Sequence, residues 1–306
     1  MYAAIDIGSN TVRMLIGECK QNGLQPRLYQ HQITRLAGGY QPEIGLARES
    51  IDRTLAVVSE FARIAADYGV EKIRAVGTAA LRRAENGQHL VNLVKMKTRL
   101  PLEIISGDEE ARLSATGVLS VLKPTPQTAL IVDIGGGSTE LVFQDWHEVV
   151  HSCSYPVGVV QLSEEMPHAE SRRQHVKNLV VKFSTDMLRS GVSPLQLAGV
   201  QLIGTAGTFT TLAALDLKMS EYDRSRINNH QLNLDWLLAT QDRLDGMSIA
   251  EREQLPGFEP GRGDVIMPGL EMIIALCQYL KQQSIRVADS GLLEGLLLDF
   301  CADRSD

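Results

Sequence analysis

The sequence predicts an α/β protein made of two related halves, and three observations carry that prediction. Short apolar runs rich in Val and Ile alternate with longer stretches of helical period, the order of an α/β chain. A near-repeat, AAIDIGSNTVRMLI around Asp6 and LIVDIGGGSTELVF around Asp133, reads twice as strand, Asp-Ile-Gly, a tight turn of small residues and a second strand. A polar, Pro-containing stretch at 123–128 precedes the second copy and is the expected hinge. The expected domains are therefore residues 1–124 and 125–306, with the two turns facing each other across a cleft.

In chain order, the first strand is expected at Tyr2–Ile7. A helix follows over 49–68, because Ile51, Leu55, Val58, Ala62 and Ala65 recur at three- or four-residue steps on one face, and Gly69 stops it. Further strands are expected at 73–76, 103–105, 129–133 and 200–203. A long polar helix at 170–189 and an apolar one at 264–280 load the second half with helix.

Composition narrows the function classes. A chain of 306 residues with 44% hydrophobic content supplies a core for each of two domains. Its net charge of -7 repels a polyanion as a whole, so no nucleic-acid partner is expected, and a phosphate-rich ligand needs a local site of backbone N–H groups, a divalent metal and arginines. No apolar run is long enough to span a membrane, and no basic segment followed by an apolar stretch opens the chain. Cys19, Cys153, Cys277 and Cys301 lie far apart with no CxxC spacing, which argues against a zinc site or a redox pair. Four buried thiols and a cytoplasmic, reduced protein are expected.

The chemistry-bearing motifs begin with Asp133-Ile134-Gly135-Gly136-Gly137-Ser138-Thr139-Glu140. Three consecutive glycines let successive N–H groups converge on phosphate oxygens, Ser138 and Thr139 add hydroxyl donors, and Asp133 at a strand end suits a hydrated magnesium ion. The bland alternative is a glycine-rich hairpin with a solvated carboxylate at each end. In Asp6-Ile7-Gly8-Ser9-Asn10 the same logic gives Ser9 and Asn10 as phosphate donors and Asp6 as a metal- or water-positioning group, although such a run also suits an ordinary turn. Arg13 either charges the cleft or is an exposed strand arginine.

Ile105-Ser106-Gly107-Asp108-Glu109-Glu110-Ala111-Arg112 reads as a strand end and a helix start capped by Ser106 or Asp108. Its three acids either complement the helix dipole or send one carboxylate into the cleft as a base. In Gly77-Thr78-Ala79-Ala80-Leu81-Arg82-Arg83 one arginine suits a bidentate phosphate clamp, and Arg83 reads as a solvated helix face. Gly204-Thr205-Ala206-Gly207-Thr208 repeats the strand-then-small-residue pattern, so Gly207 opens a third anion site or a close-packed turn.

Together these segments resemble the exopolyphosphatase/guanosine pentaphosphate phosphatase family, within the actin, sugar kinase and heat-shock ATPase superfamily. The resemblance runs in order through DIGSNTVRMLI at 6–16, GTAALRRA at 77–84, EIISGDEEARL at 103–113, LIVDIGGGSTELV at 130–142, PVGVVQLSE at 156–164, GTAGT at 204–208 and VADSGLLEGLL at 287–297. It implies ribonuclease-H-like folds in both halves, the last helix packing back on the first. It also implies release of terminal phosphate from inorganic polyphosphate or guanosine pentaphosphate. Carried onto this sequence, it places the base at Glu110, the phosphate loop at 135–139, metal and water positioning at Asp133 and Glu140, and a further site arginine at Arg82. Magnesium, or another divalent such as manganese, is the implied cofactor. Larger members of that family carry extra C-terminal helical domains beyond the segments matched here, so processive action on very long chains is not expected unless a homodimer rebuilds a channel. Two other classes compete: a nucleotide-dependent phosphotransferase built on the same hairpins, and a non-catalytic sensor of guanosine polyphosphates. SGDEEAR suits a water-activating base better than a sugar pocket.

Overall fold

The computed structural model describes residues 1–20, 23–146 and 148–302. It resolves into two units, Met1–Gly117 with Ser290–Asp306, and Val118–Asp289.

The first unit runs β1 (Tyr2–Ile7), β2 (Thr11–Lys20), β3 (Gly23–Ile33), α1 (Arg48–Asp67), β4 (Lys72–Gly77), α2 (Ala79–Arg83), α3 (Gly87–Thr98), β5 (Leu102–Ile104) and α4 (Gly107–Val121), whose end passes into the second unit. The second unit continues β6 (Thr128–Ile134), β7 (Thr139–Asp145), β8 (Glu148–Tyr155), α5 (Val159–Glu165), α6 (Ala169–Arg189), α7 (Pro194–Ala198), β9 (Gln201–Thr205) and α8 (Gly207–Asp216). It closes with α9 (Arg224–Ile227), β10 (Gln231–Asn233), α10 (Leu234–Asp245), α11 (Ile249–Glu253), α12 (Ile266–Tyr279) and β11 (Ser284–Val287). The chain then returns to the first unit as α13 (Leu292–Ala302).

Both units repeat one topology. The first sheet is ordered β3-β2-β1-β4-β5, antiparallel through its first three strands and parallel from β1 to β5. The second reads β8-β7-β6-β9-β11 in the same pattern, with β10 added at its edge. The duplication seen in the two Asp-Ile-Gly copies thus extends to whole sheets, each with a hairpin between its first two strands and a small-residue turn after the fourth.

Alternation along β1 sorts its side chains onto two faces. Ala3, Ile5 and Ile7 join Val57, Val58 and Phe61 of α1 in one core. Tyr2 and Ala4 join Leu15, Leu113 of α4 and the leucines of α13 in another. Asp6 shares the second face and is 1% exposed. In the second unit Leu130, Val132 and Ile134 of β6 enter the core, which leaves Asp133 on the opposite face. Gly69 ends the turn after α1 at φ +67, a conformation that favours glycine.

One expectation fails. Cys19, near the end of β2, is disulfide-bonded to Cys301, in the last turn of α13, with their Cα atoms 5.3 Å apart. Sequence spacing reports only local pairing, whereas here α13 folds back over β1–β3 and brings the two ends of the chain together. Cys153 and Cys277 remain thiols. A disulfide is a mark of oxidising surroundings, so the cysteines no longer argue for a reducing compartment. Among the described residues no helix is long and apolar enough to cross a membrane.

Candidate functional site

The β6–β7 hairpin closes through the Gly135 N–H on the Ser138 carbonyl at 3.0 Å. The carbonyls of Gly135 and Gly136 accept from the amides of Val159 and Val160, the first residues of α5, at 3.0 and 2.9 Å. In a trans peptide the C=O and the following N–H point in opposite directions, so the N–H groups of Gly136 and Gly137 are aimed away from α5. These two and the Ser138 N–H have no hydrogen-bond partner among the described residues. Three successive N–H groups are thus left for a ligand. The approach of α5 requires glycine at 158: a Cβ there would lie 2.4 Å from Gly136 C and O and Gly137 N.

Thr139 takes a different role from the one its sequence position suggests. Fully buried, it donates its hydroxyl to the Val157 carbonyl at 2.7 Å and ties the loop to the segment that leads into α5. Ser138 is also buried, at 4% exposure. Glu140 stands opposite Asp133 in the β6–β7 register, so both carboxylates occupy one face, and Glu140 accepts from Ser154 Oγ at 2.6 Å.

The equivalent hairpin in the first unit has the same frame and different charges. Gly8 N–H closes the turn on Thr11 O at 3.1 Å, and the carbonyls of Ser9 and Asn10 are held by the amides of Ala37, Thr34 and Arg35. The residue opposite Asp6 is Arg13, whose Nε and Nη2 both donate to Asp6 Oδ2, at 3.0 and 2.5 Å. Arg13 is thus committed to Asp6 rather than to solvent. Four buried polar atoms here have no protein partner among the described residues: Asp6 Oδ1, Asn10 Nδ2, Thr11 Oγ1 and Thr34 Oγ1. Leaving such atoms unpaired costs about 1–3 kcal/mol each, which water or a ligand would recover.

At the head of α4, Ser106 is the cap, its hydroxyl accepting from Glu109 N–H at 3.1 Å. Adjacent helical residues project about 100° apart, and this separates the two glutamates. Glu109 turns to Arg74 at 2.7 Å. Glu110 turns to Arg82, whose Nη1 donates to Glu110 Oε2 at 2.6 Å and to Ile105 O at 3.1 Å. Arg83 instead lies over the Tyr40 ring, 5.1 Å from its centroid, a packing role.

The turn after β9 contains a residue that sequence reasoning missed. The Arg262 guanidinium lies against Gly207, so that a Cβ on Gly207 would meet its Cζ and both terminal nitrogens at 2.2–2.3 Å. Nε of Arg262 is held by the Glu259 carboxylate, leaving the fork at the N-terminus of α8. Ala206, immediately before, adopts φ +71 and ψ 178, a conformation that costs a non-glycine residue about 1–3 kcal/mol. The signal in the sequence was a single arginine between glycines in Pro260-Gly261-Arg262-Gly263.

No group of three or more His, Cys, Asp or Glu side chains able to hold a metal occurs among the described residues, which excludes an all-protein cage there. The donors present fit magnesium. Two carboxylates directly opposite on one sheet face repel each other unless a cation lies between or beside them. Magnesium, and manganese with the same oxygen preference, takes one or two carboxylates and completes its shell with water and phosphate. In the first unit, Arg13 holds one oxygen of Asp6, and the other has no protein partner among the described residues.

A model of the Ppx/GppA phosphatase family matches residues 15–303. The chain is 32% identical to exopolyphosphatase 2 of Mycobacterium tuberculosis over 311 residues, covering 97% of both proteins. It is 29% identical to the guanosine-5'-triphosphate,3'-diphosphate pyrophosphatase of Aeromonas hydrophila, over all of this chain and 60% of that one. Among solved structures, a Ppx/GppA family member from Aquifex aeolicus superposes with a TM-score of 0.80 at 28% identity, covering 100% of this chain and 98% of that one. These likenesses agree with the actin-like fold of two α/β units.

Proposed function

The chain belongs to the Ppx/GppA phosphatase family, and from that premise we propose that it releases the terminal orthophosphate of inorganic polyphosphate, guanosine pentaphosphate, or both, by direct attack of water. The observation that carries the reading is the row of unspent N–H donors at Gly136, Gly137 and Ser138, the first two oriented by the amides of α5. Such donors recognise phosphate oxygens and strengthen as charge builds on them in the transition state. The names of the relatives, one an exopolyphosphatase and one a guanosine pentaphosphate enzyme, support both substrates, which share the same terminal anhydride.

In this reading the Glu110 carboxylate accepts a proton from water, the water oxygen bonds to the terminal phosphorus, and the anhydride P–O bond opposite breaks. The products are orthophosphate and a chain shorter by one phosphate. Arg82 holds Glu110 in place. In the first unit Ser9 and Asn10 offer donors and Asp6 a carboxylate oxygen; in the second Arg262 offers its fork, and Asp133 and Glu140 are the residues that would hold magnesium. Bound there, the ion would neutralise charge on the phosphoryl oxygens.

The test is incubation with magnesium and short polyphosphate, long polyphosphate or guanosine pentaphosphate, each without an acceptor. Orthophosphate release from at least one supports the reading. Transfer only in the presence of an acceptor would make the protein a phosphotransferase, and binding with no release would make it a sensor.

A further inference from the structure

We propose that the Cys19–Cys301 disulfide is a redox-modification site that takes a dithiol reductant and controls how firmly the head of α4, and with it Glu110, is held. The inference rests on the reading of Glu110 as the base, and it concerns the first unit alone.

The disulfide joins the outer end of β2 to the last described turn of α13, and both cysteines are partly exposed, so a thiolate can reach the sulfurs. What it fastens is the lid over one sheet face. Leu292, Leu293, Leu296 and Leu297 of α13 pack on Tyr2, Ala4 and Leu15, and Leu113 of α4 enters the same cluster.

Two further links run from α13 to α4. Backbones touch directly: a Cβ on Gly117 would lie 1.9 Å from Gly291 O, and one on Gly295 would lie 2.0 Å from Leu113 O. Charges form the second link, and they lie beside the disulfide. Asp299, two residues before Cys301, pairs with Arg74 at 3.3 Å and Arg112 at 3.6 Å. The same Arg74 guanidinium holds Glu109 at 2.7 Å, and Glu109 is the neighbour of Glu110. Partly exposed ion pairs contribute little alone and need their long side chains confined. The disulfide confines them by fixing the turn that carries Asp299.

Opening the tether is thiol–disulfide exchange. One thiolate of the dithiol attacks either cysteine sulfur, the S–S bond breaks and the other cysteine leaves as a thiolate that takes up a proton. The second thiol of the reductant then displaces the remaining cysteine. Two electrons and two protons pass to the protein, which gains two thiols, and the dithiol becomes its own disulfide. The last turn of α13 is then held by Phe300, stacked on Tyr2 with ring centroids 5.2 Å apart, and by the partly exposed ion pairs of Asp299.

The experiment compares oxidised protein, dithiol-reduced protein and the Cys19→Ser and Cys301→Ser variants below the melting temperature of every form. We expect reduction to lower kcat severalfold with KM little changed, re-oxidation to restore it, and both variants to show the reduced value without response to dithiol. Hydrogen exchange of residues 107–113 and 290–302 should rise together on reduction. Equal kcat and equal exchange in the two redox states, a Cys301→Ser variant that still responds to dithiol, or a protein isolated without reductant that carries four free thiols, would overturn the proposal. The exchange measurement keeps this distinct from the catalytic reading: if Glu110 proves not to be the base, coupled exchange at 107–113 still reports the tether, and its absence still refutes it.

Discussion

Arg82 and Glu110 form an ion pair at 2.6 Å, and the same Arg82 nitrogen is anchored on the Ile105 carbonyl. The arginine comes from α2 and the glutamate from the first turn of α4, so the pair joins the two short helix starts that follow β4 and β5. With side-chain exposures of 21% and 12%, both are sheltered yet partly open to solvent.

Replacing Arg82 with Ala should therefore lower kcat more than it raises KM, because Glu110 loses its fixed orientation. A charge-assisted bond of about 1.5–3 kcal/mol corresponds to roughly a tenfold to hundredfold loss. Arg82→Lys keeps the charge but places it on a flexible ammonium without the planar guanidinium and should recover only part of the rate. Steady-state kinetics on short polyphosphate reads both effects.

Gly158→Ala should disable the phosphate loop without unfolding the protein. The added Cβ would collide with Gly136 and Gly137 backbone at 2.4 Å and push the loop off the α5 amides. The expected signature is a KM at least about tenfold higher, since three phosphate donors lose their aim. Circular dichroism should show an intact fold, and a melting temperature close to that of the parent would exclude a general packing defect.

Removal of Arg172 tests the second unit's core instead. Its Nε and Nη2 donate to both oxygens of Glu271 at 2.6 and 3.0 Å, in a pair nearly closed to solvent. Arg172→Ala leaves the interior Glu271 carboxylate with only the longer contact from Arg173 Nε, 3.3 Å from Oε1, at a cost of up to about 3–5 kcal/mol. Chemical denaturation should show that loss, and an Arg172→Met, Glu271→Leu double variant should regain most of it.

The free thiols should separate by pH. Burial pushes the Cys277 thiol up to about 12. A thiol with a raised pKa stays protonated below it and becomes nucleophilic only as pH approaches that value. Iodoacetamide at pH 8 should label the half-buried Cys153 in native oxidised protein and leave Cys277 unmodified. Mass spectrometry of the labelled peptides reads this directly.

The sequence revealed those parts of the fold whose physics is local. Apart from Asp6, Tyr2–Ile7 is apolar on both faces because helices cover both, and the helix ending before Gly69 showed its buried stripe by spacing alone. The strands β3, β8, β10 and β11 were not picked out: β3 is edge-lying and mostly exposed, with Pro26 inside it, so it lacks an apolar pattern. At the site, the glycines announced an anion loop, but the orienting partner Val159–Val160 lies some twenty residues on and carries no polar side chain. Nor does spacing tell Glu109 from Glu110. Their partners, Arg74 and Arg82, come from elements joined only by the tertiary fold. The disulfide was hidden for the same reason, since 282 residues separate its ends.

Glu110→Gln tests the central claim most directly, because it keeps the size and the hydrogen-bonding reach of the side chain while removing the proton acceptor. With magnesium and short polyphosphate, the account predicts a fall in kcat of about 10²–10⁴-fold with substrate affinity within a fewfold of the parent. Orthophosphate release at a near-parental rate would contradict it.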